Sequence, residues 1–197
     1  MEPWRLFIAI ELPPHVRRTI KQHIEGLRQA LPDVRAGWTR GENLHLTLKF
    51  LSNVAVDRVE SLSQALRQAA TRAPAFDLVI QGCGVFPPRG KPNVLWIGVS
   101  PESEAFCLQL YEAIEAECAA AGFAREQRML HPHLTIARLR HPAGAHDLAR
   151  MHEEVGFETL SLPVRDVCLI RSELSNSGSR YTVVARHKLR TDAAPNF

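Results

Sequence analysis

Apolar and polar residues alternate along several stretches of the chain with the two-residue period of β-strands. The first such stretch runs from Trp4 to Glu11. Strands are also predicted over 76–86 and 93–99, where the Pro- and Gly-containing loop 87–92 indicates a hairpin. Two longer strands, 160–174 and 180–189, are predicted to form a second hairpin around the segment 175–179. The tail after Arg190 lacks this pattern, and we expect it to be frayed.

Between these strands, apolar residues recur three or four positions apart, which predicts four amphipathic helices. Pro13 and Pro14 favour the start of the first helix, and Pro32 ends it. Gly122 and Gly156 are typical of the ends of the third and fourth helices. The predicted helices cover about 14–31, 56–69, 107–121 and 145–155.

Two further alternating stretches carry the same tetrapeptide pattern, His-x-Thr-x. The copies are His45–Leu48 and His133–Ile136, within predicted strands over about 43–51 and 133–140. In a strand, the histidine and threonine of each copy share one face, and the apolar residues take the other face. The two histidines are separated by close to half of the 197 residues. This spacing predicts two similar lobes that each contribute one imidazole and one hydroxyl to a shared site.

Composition and charge narrow the class of protein. Hydrophobic residues make up 45% of the chain and charged residues 23%, which is ordinary for a globular protein. With 24 basic and 21 acidic residues, the net charge of +3 is compatible with contact with the end of a nucleic acid rather than coverage of its length. No apolar run approaches the roughly 20 residues of a membrane-spanning helix, and no signal peptide is predicted. We expect a cytoplasmic protein with one bilobal domain over 1–190, a tail over 191–197 and four free cysteines.

The paired histidines and threonines favour phosphodiester chemistry. Histidine exchanges a proton near neutral pH, so two imidazoles across a cleft can act as one acid and one base. Threonine hydroxyls can donate hydrogen bonds to the non-bridging oxygens of a phosphate. The arrangement suits cleavage by water or a hydroxyl without a metal or cofactor. The residues alone leave open which histidine is the acid.

Two other classes of function are compatible with parts of the sequence. A metal-dependent phosphohydrolase could use His131 and His133 with His141 or His146 as ligands. Against it, no carboxylate lies among these histidines in sequence, and the first motif would have no role. A non-catalytic protein that binds RNA ends is the second alternative, and the intact residues of both copies argue against it.

The chain resembles the 2H phosphoesterases, and within them the bacterial and archaeal RNA 2′,3′-cyclic phosphodiesterases, first described as 2′-5′ RNA ligases. The resemblance covers nearly the whole chain. One departure is Ser52-Asn53, where the family often has glycine, and we expect it to affect only a turn. The segments that carry the resemblance are 5–13, 44–51, 84–87, 94–99, 132–138 and 181–183.

This resemblance implies an α+β fold of two pseudo-symmetric lobes, each with an antiparallel sheet that lines a central cleft and with helices outside. It implies hydrolysis of RNA 2′,3′-cyclic phosphate ends to a 2′-phosphate, and reverse 2′-5′ ligation is compatible with it. Carried over by position, His45 is the proton donor and His133 the proton acceptor, while Thr47 and Thr135 hold the phosphate. The expected partners are RNA ends, such as tRNA fragments, or small cyclic nucleotides, without a metal, membrane or obligate protein partner.

Phe50 and Arg138 each lie five residues after a motif histidine. The resemblance implies base stacking by Phe50 and phosphate binding by Arg138. Strict alternation would place both on the face opposite the histidines, so each strand must bulge or end first. Trp38 and Trp96 are predicted to be core residues, the loop 89–91 is equally compatible with RNA contact and with a solvated tip, and the remaining histidines are interpreted as surface or structural.

Overall fold

The computed structural model describes residues 2–175 and 178–191, which form nine strands and four helices. The strands are β1 (Trp4–Glu11), β2 (Gly37–Trp38), β3 (His45–Val54), β4 (Phe76–Phe86), β5 (Val94–Val99), β6 (Leu134–Arg138), β7 (Leu160–Val164), β8 (Asp166–Ser175) and β9 (Gly178–Lys188). The helices are α1 (Pro14–Ala30), α2 (Val59–Arg72), α3 (Pro101–Ala120) and α4 (Ala145–Val155). Positions 176–177 of the predicted turn and 192–197 of the predicted tail lie outside the described residues.

The strands form two antiparallel sheets, one in each lobe. The first sheet has the order β3-β1-β8-β9, and the second has the order β2-β6-β5-β4-β7. The first motif lies on β3 and the second continues into β6, and these two strands contact each other across the cleft between the sheets. The predicted α+β fold of two lobes is therefore confirmed.

The helices cover the outer faces of the sheets. Helix α2 packs on β8, β9 and α3, while α4 packs on β4 and contacts α1. Helix α1 buries Val16, Ile20, Ile24 and Leu27, which recur at the predicted helical spacing. Each helix thus turns one apolar stripe inward, as amphipathic helices on a sheet do.

A single large cluster of buried apolar side chains includes residues of both sheets and all four helices. Strand β1 is buried on both faces, because Leu6 and Ile8 belong to this cluster while Phe7 and Ala9 belong to a smaller one on the opposite face. This explains why 6–10 is a continuous apolar run rather than an alternating one. Within 2–175 and 178–191, every helix is too short or too polar to span a membrane.

The predicted strand over 160–174 is wrong in one respect, because the chain leaves one sheet and enters the other within it. Strand β7 ends at Val164 at the edge of the second sheet, and β8 begins at Asp166 inside the first sheet. The alternation of buried residues changes phase here, since Leu162 and Val164 are buried before the break and Val167 and Leu169 after it. Strand β2 was not predicted, because two residues carry no periodicity.

Candidate active site

The four motif residues meet in one cavity of about 720 Å³ between the two sheets. His45 and Thr47 line it from β3, while His133 and Thr135 line it from the start of β6. The intervening apolar residues point the other way and are buried: Leu46, Leu48, Leu134 and Ile136. The structure therefore brings together the two pairs that the motifs predict.

Both motif histidines are oriented by the same local hydrogen bond. Nδ1 of His45 lies 2.7 Å from the carbonyl oxygen of Asn43, and Nδ1 of His133 lies 2.6 Å from that of His131. A carbonyl oxygen only accepts, so in each ring Nδ1 carries the hydrogen and donates it. This fixes the ring orientation and leaves Nε2 as the nitrogen available for proton exchange.

Aromatic rings pack around each motif histidine. The ring centroid of His45 lies 4.7 Å from that of Phe7 and 5.3 Å from that of Tyr181. His133 has Phe86 at 5.1 Å and Trp96 at 6.3 Å. Sequence reasoning missed these neighbours, because they come from strands far away along the chain.

Burial lowers the pKa of both His45 and His133 below the ordinary value of 6.5. The carbonyl bonds oppose this effect, because they favour the protonated ring. Neighbouring groups also act on these pKa values: Arg17 and His133 lower that of His45 and Glu11 raises it, while His131 and Arg138 lower that of His133. Without a bound anion, both imidazoles are therefore biased toward the neutral form.

A β-bulge in each motif strand turns the fifth residue after the histidine into the cleft. Between β1 and β3 the register shifts so that Ile8 pairs with Lys49 and Ala9 with Thr47, which leaves Leu48 unpaired. The matching shift between β5 and β6 leaves Ile136 unpaired. Two consecutive residues are then buried in each strand, and the next ones, Phe50 and Arg138, emerge on the cavity side.

The expectation that Ser52-Asn53 affects only a turn is wrong. Both residues belong to β3 and line the cavity. Ser52 has φ of 51°, in the left-handed region that glycine adopts more readily than serine. The departure therefore places a hydroxyl and an amide at the edge of the site, at the cost of a less favourable backbone conformation for Ser52.

Additional polar groups in the cavity lining were not predicted. Arg5 and Arg140 line the same cavity as Arg138 and add positive charge to it. Thr39 is held by a hydrogen bond of 2.9 Å from its hydroxyl to the carbonyl oxygen of Thr135. The amide of Asn43 donates to the carbonyl oxygen of Ser179 at 2.9 Å, which ties the segment before His45 to β9. The site is thus basic and polar, as expected for an anionic ligand.

A buried ion pair anchors the first motif strand to α3. Lys49, which is 3% exposed, pairs with Glu115 of α3 and donates to the carbonyl oxygen of Ala124 at 2.9 Å. Glu115 also accepts a hydrogen bond of 3.1 Å from the backbone N–H of Glu126. These contacts hold the segment that leads from α3 to His133.

The structure also places the tryptophans, the loop 89–91 and the histidines outside the two motifs. Trp38 packs at the edge of the main core, whereas Trp96 lies beside His133 rather than in the core. Arg89 and Lys91 are exposed, and neither is among the described residues that line the cavity. His141 and His146 are exposed, and His152 is fully buried. Within the described ranges, the residues found close enough to share a metal are His23, Cys83 and His152, not the set around His131.

The model of the 2′-5′ RNA ligase superfamily matches residues 13–176. A relative from Methanothermobacter thermautotrophicus, named RNA 2′,3′-cyclic phosphodiesterase, is 32% identical over 90% of this chain and 95% of its own length. The crystal structure of TT0787 of Thermus thermophilus superposes with a TM-score of 0.75 at 27% identity, covering 96% of this chain and 100% of that one. Escherichia coli LigT in complex with 3′-AMP gives 0.71 at 27% identity over 96% and 99% of the two chains. The chain therefore belongs to the 2′-5′ RNA ligase superfamily.

Proposed function

We propose that this protein hydrolyses RNA 2′,3′-cyclic phosphate ends to 2′-phosphomonoesters by general acid–base catalysis with two histidines and no metal. The observation that carries the proposal is the matched pair of imidazoles. Both are fixed through Nδ1 to a carbonyl oxygen, and both line one basic cavity with a threonine beside them. Relatives that carry the name RNA 2′,3′-cyclic phosphodiesterase support the choice of substrate.

In the proposed reaction, Nε2 of His133 accepts a proton from water as the water oxygen bonds to phosphorus. The bond from phosphorus to the 3′ oxygen breaks, and protonated Nε2 of His45 gives its proton to that oxygen. The products are a 3′-hydroxyl and a 2′-phosphate. Proton exchange with solvent then restores both rings.

The reaction also requires groups that stabilise the negative charge on the phosphate. We assign the hydroxyls of Thr47 and Thr135 to the non-bridging oxygens, since each lies two residues from a histidine on the same strand face. Arg138 is assigned to the phosphate as well, because its guanidinium is permanently charged and suited to bidentate contacts. Phe50 is 62% exposed at the cavity edge and is assigned to stacking on a base.

A 5′-hydroxyl of a second RNA could take the place of water in this geometry. His133 would then deprotonate that hydroxyl, and departure of the 3′ oxygen would leave a 2′-5′ linkage. The same acid and base thus serve hydrolysis and ligation, and the nucleophile decides between them.

The test is an assay with a short RNA that ends in a 2′,3′-cyclic phosphate, with product analysis. We expect a product with a 2′-phosphate, and His45→Ala and His133→Ala should each lower turnover by about 100-fold or more. His146→Gln, on the exposed face of α4, is the matched control and should retain activity. A product with a 3′-phosphate would overturn the assignment of acid and base.

Chelation separates this mechanism from a metal-dependent one. Turnover should survive exhaustive treatment with EDTA, because the two imidazoles supply both proton transfers. Activity that disappears on chelation and returns with zinc or manganese would instead favour the metal-dependent hydrolase.

A further inference from the structure

Two histidines and a cysteine converge on the side of the second sheet opposite the motif residues. Cys83 of β4 pairs with Ile97 of β5, which pairs with Leu134 of β6. Directly paired residues share a face, and Leu134 points away from His133 and Thr135 into the core. His23 of α1 and His152 of α4 complete the group, and the three ligating atoms lie within 4.8 Å of one another.

Hydrogen bonds fix the direction in which each imidazole points. Nε2 of His152 lies 2.9 Å from the carbonyl oxygen of Trp96 and must donate to it. Its Nδ1 lone pair therefore faces Nε2 of His23, at 3.1 Å. A metal-binding histidine has this arrangement in many proteins: one ring nitrogen donates to a backbone carbonyl, and the other presents its lone pair to the ion.

We propose that His23, Cys83 and His152 form a structural site for a soft divalent cation, with Zn²⁺ as the best match. Imidazole and thiolate are both ligands that zinc accepts, and a water as the fourth ligand completes a tetrahedral shell around these three residues. The carbonyl oxygen of Trp96 holds His152 in place behind the ion. The site is independent of the proposed hydrolysis, because it uses other residues on the other face of the sheet.

The spacing of the group needs only a local adjustment to accept zinc. Bond lengths of about 2.0–2.1 Å to nitrogen and 2.3 Å to sulfur place neighbouring ligands roughly 3.3–3.8 Å apart. The two nitrogens, at 3.1 Å, are close to this separation, and no separation in the group needs to shrink by more than about 1 Å. Rotation of the Cys83 side chain can supply that movement. Cys83 also lines a cavity of about 580 Å³, which offers a path for the ion.

Metal binding requires changes in the protonation of Cys83 and in the tautomer of His23. Burial raises the pKa of the Cys83 thiol to about 12, with a further contribution from Glu153, and burial lowers the pKa of His23 to about 4. Both groups are therefore neutral before an ion enters. On binding, the thiol releases one proton to solvent, while the hydrogen on Nε2 of His23 moves to Nδ1. The resulting thiolate and two neutral imidazoles are the forms that coordinate zinc.

The expected role of the ion is to fasten α1 and α4 to the second sheet. His23 and His152 come from helices that contact each other, and Cys83 comes from the strand on which α4 packs. The carbonyl that holds His152 belongs to Trp96, whose ring lies beside His133. The site therefore stabilises, on the face opposite the active site, strand β5, which pairs with the second motif strand β6.

The experiment uses the full chain, stripped of metal and titrated with Co²⁺ and then with Zn²⁺. Coordination by a thiolate gives Co²⁺ a sulfur-to-cobalt charge-transfer band, and Zn²⁺ should displace the cobalt with a stoichiometry of one. At free zinc about 100 times the Kd, the Tm should rise by roughly 5–10 °C. Turnover of the cyclic phosphate substrate should change little.

Matched variants decide the outcome. Cys83→Ser should abolish the charge-transfer band, and His23→Gln should weaken cobalt binding by at least about tenfold. Cys168→Ser, at a buried thiol of the first sheet, and His133→Gln, at the second motif, should keep the band. His152 is left unchanged, because it is fully buried and its replacement risks the fold. A cobalt band that persists in Cys83→Ser, or a wild-type protein without the band and without a zinc-dependent Tm, would overturn the proposal.

Discussion

The two motif histidines are surrounded by aromatic rings, and this desolvation should be visible in the pH dependence of turnover. Because burial lowers the pKa of both rings, the limbs of the kcat/KM profile, which reports the free enzyme, should lie below the ordinary value of 6.5. The profile should be bell-shaped, with limbs that belong to the coupled pair. In the kcat profile, the negative phosphate of the bound substrate should shift the limbs to higher pH.

Tyr181→Ala provides the decisive comparison for this pH dependence. Removal of the ring beside His45 admits water, so the pKa of His45 should rise and the alkaline limb of kcat/KM should move upward. His146→Gln is exposed on α4 and should leave the profile unchanged. A wild-type alkaline limb of kcat/KM above 6.5 would contradict this account of burial.

The proposed contacts of the threonine hydroxyls with the phosphate predict a loss of rate when either hydroxyl is removed. Thr47→Ala and Thr135→Ala should each cost about 2–4 kcal/mol of transition-state stabilisation if the hydroxyls contact the developing charge. Thr→Ser at the same positions keeps the hydroxyl and should recover most of the loss. Thr71→Ala, at an exposed position of α2, serves as the control. Equal losses for the alanine and serine variants in steady-state kinetics would show that the hydroxyls are not the active groups.

At the scale of single residues, the sequence predicted the four motif side chains but not their surroundings. The alternation that exposes His45 and Thr47 on one face is local, so it can be predicted from adjacent residues in the sequence. Phe7, Tyr181 and Phe86 approach the histidines through strand pairing across many residues, and no local pattern encodes this. Trp96 was wrongly predicted as core for the same reason, since an aromatic residue in an apolar strand is usually buried.

At the scale of the elements, the buried ion pair between β3 and α3 should contribute little net stability as a pair, while the loss of one partner should be strongly destabilising. Lys49→Met leaves the buried carboxylate of Glu115 without its partner and should lower the free energy of unfolding by about 3–5 kcal/mol. The double variant Lys49→Met with Glu115→Leu should recover much of that loss, because neither charge is then buried. Denaturation by urea measures both effects.

An exposed ion pair on α4 gives the matched comparison. Arg150 and Asp147 pair at 3.3 Å with both side chains well exposed, so Arg150→Ala should change stability by less than about 1 kcal/mol. If the double variant at Lys49 and Glu115 were no more stable than Lys49→Met alone, the loss would come from packing rather than from the unpaired charge.

The strand bulges mark the limit of what periodicity can predict. The position of Phe50 and Arg138 five residues after the histidines required an irregularity in each strand, and the structure contains one at Leu48 and one at Ile136. The change of sheet near Arg165 could have been recognised in the sequence, because the alternation of apolar residues changes phase there. The two-residue strand β2 could not, because its pairing with Ala137 and Arg138 depends only on tertiary contacts.

At the scale of the whole molecule, the two lobes are joined by one hydrophobic cluster, and we expect them to unfold together. Trp4 lies in the first sheet, under the guanidinium of Arg171, and Trp96 lies in the second. Variants that keep only one of these two tryptophans, with Trp38 of β2 replaced by Phe in both, should report the same midpoint in urea by fluorescence. Two separate midpoints would show that the lobes are independent domains.

The identical anchoring of the two histidines has a consequence for the direction of proton flow. In the ligand-free protein, both rings donate Nδ1–H to the carbonyl two residues earlier, and both have a lowered pKa. The two rings thus share one local design, and their neighbours set them apart, because Glu11 raises the pKa of His45 while His131 and Arg138 lower that of His133. Under the proposed mechanism, the orientation in which the ribose enters brings its 3′ oxygen to one ring or to the other. In the reversed orientation the 3′ oxygen would meet His133, where the positive charge of Arg138 disfavours the protonated form that a donor needs.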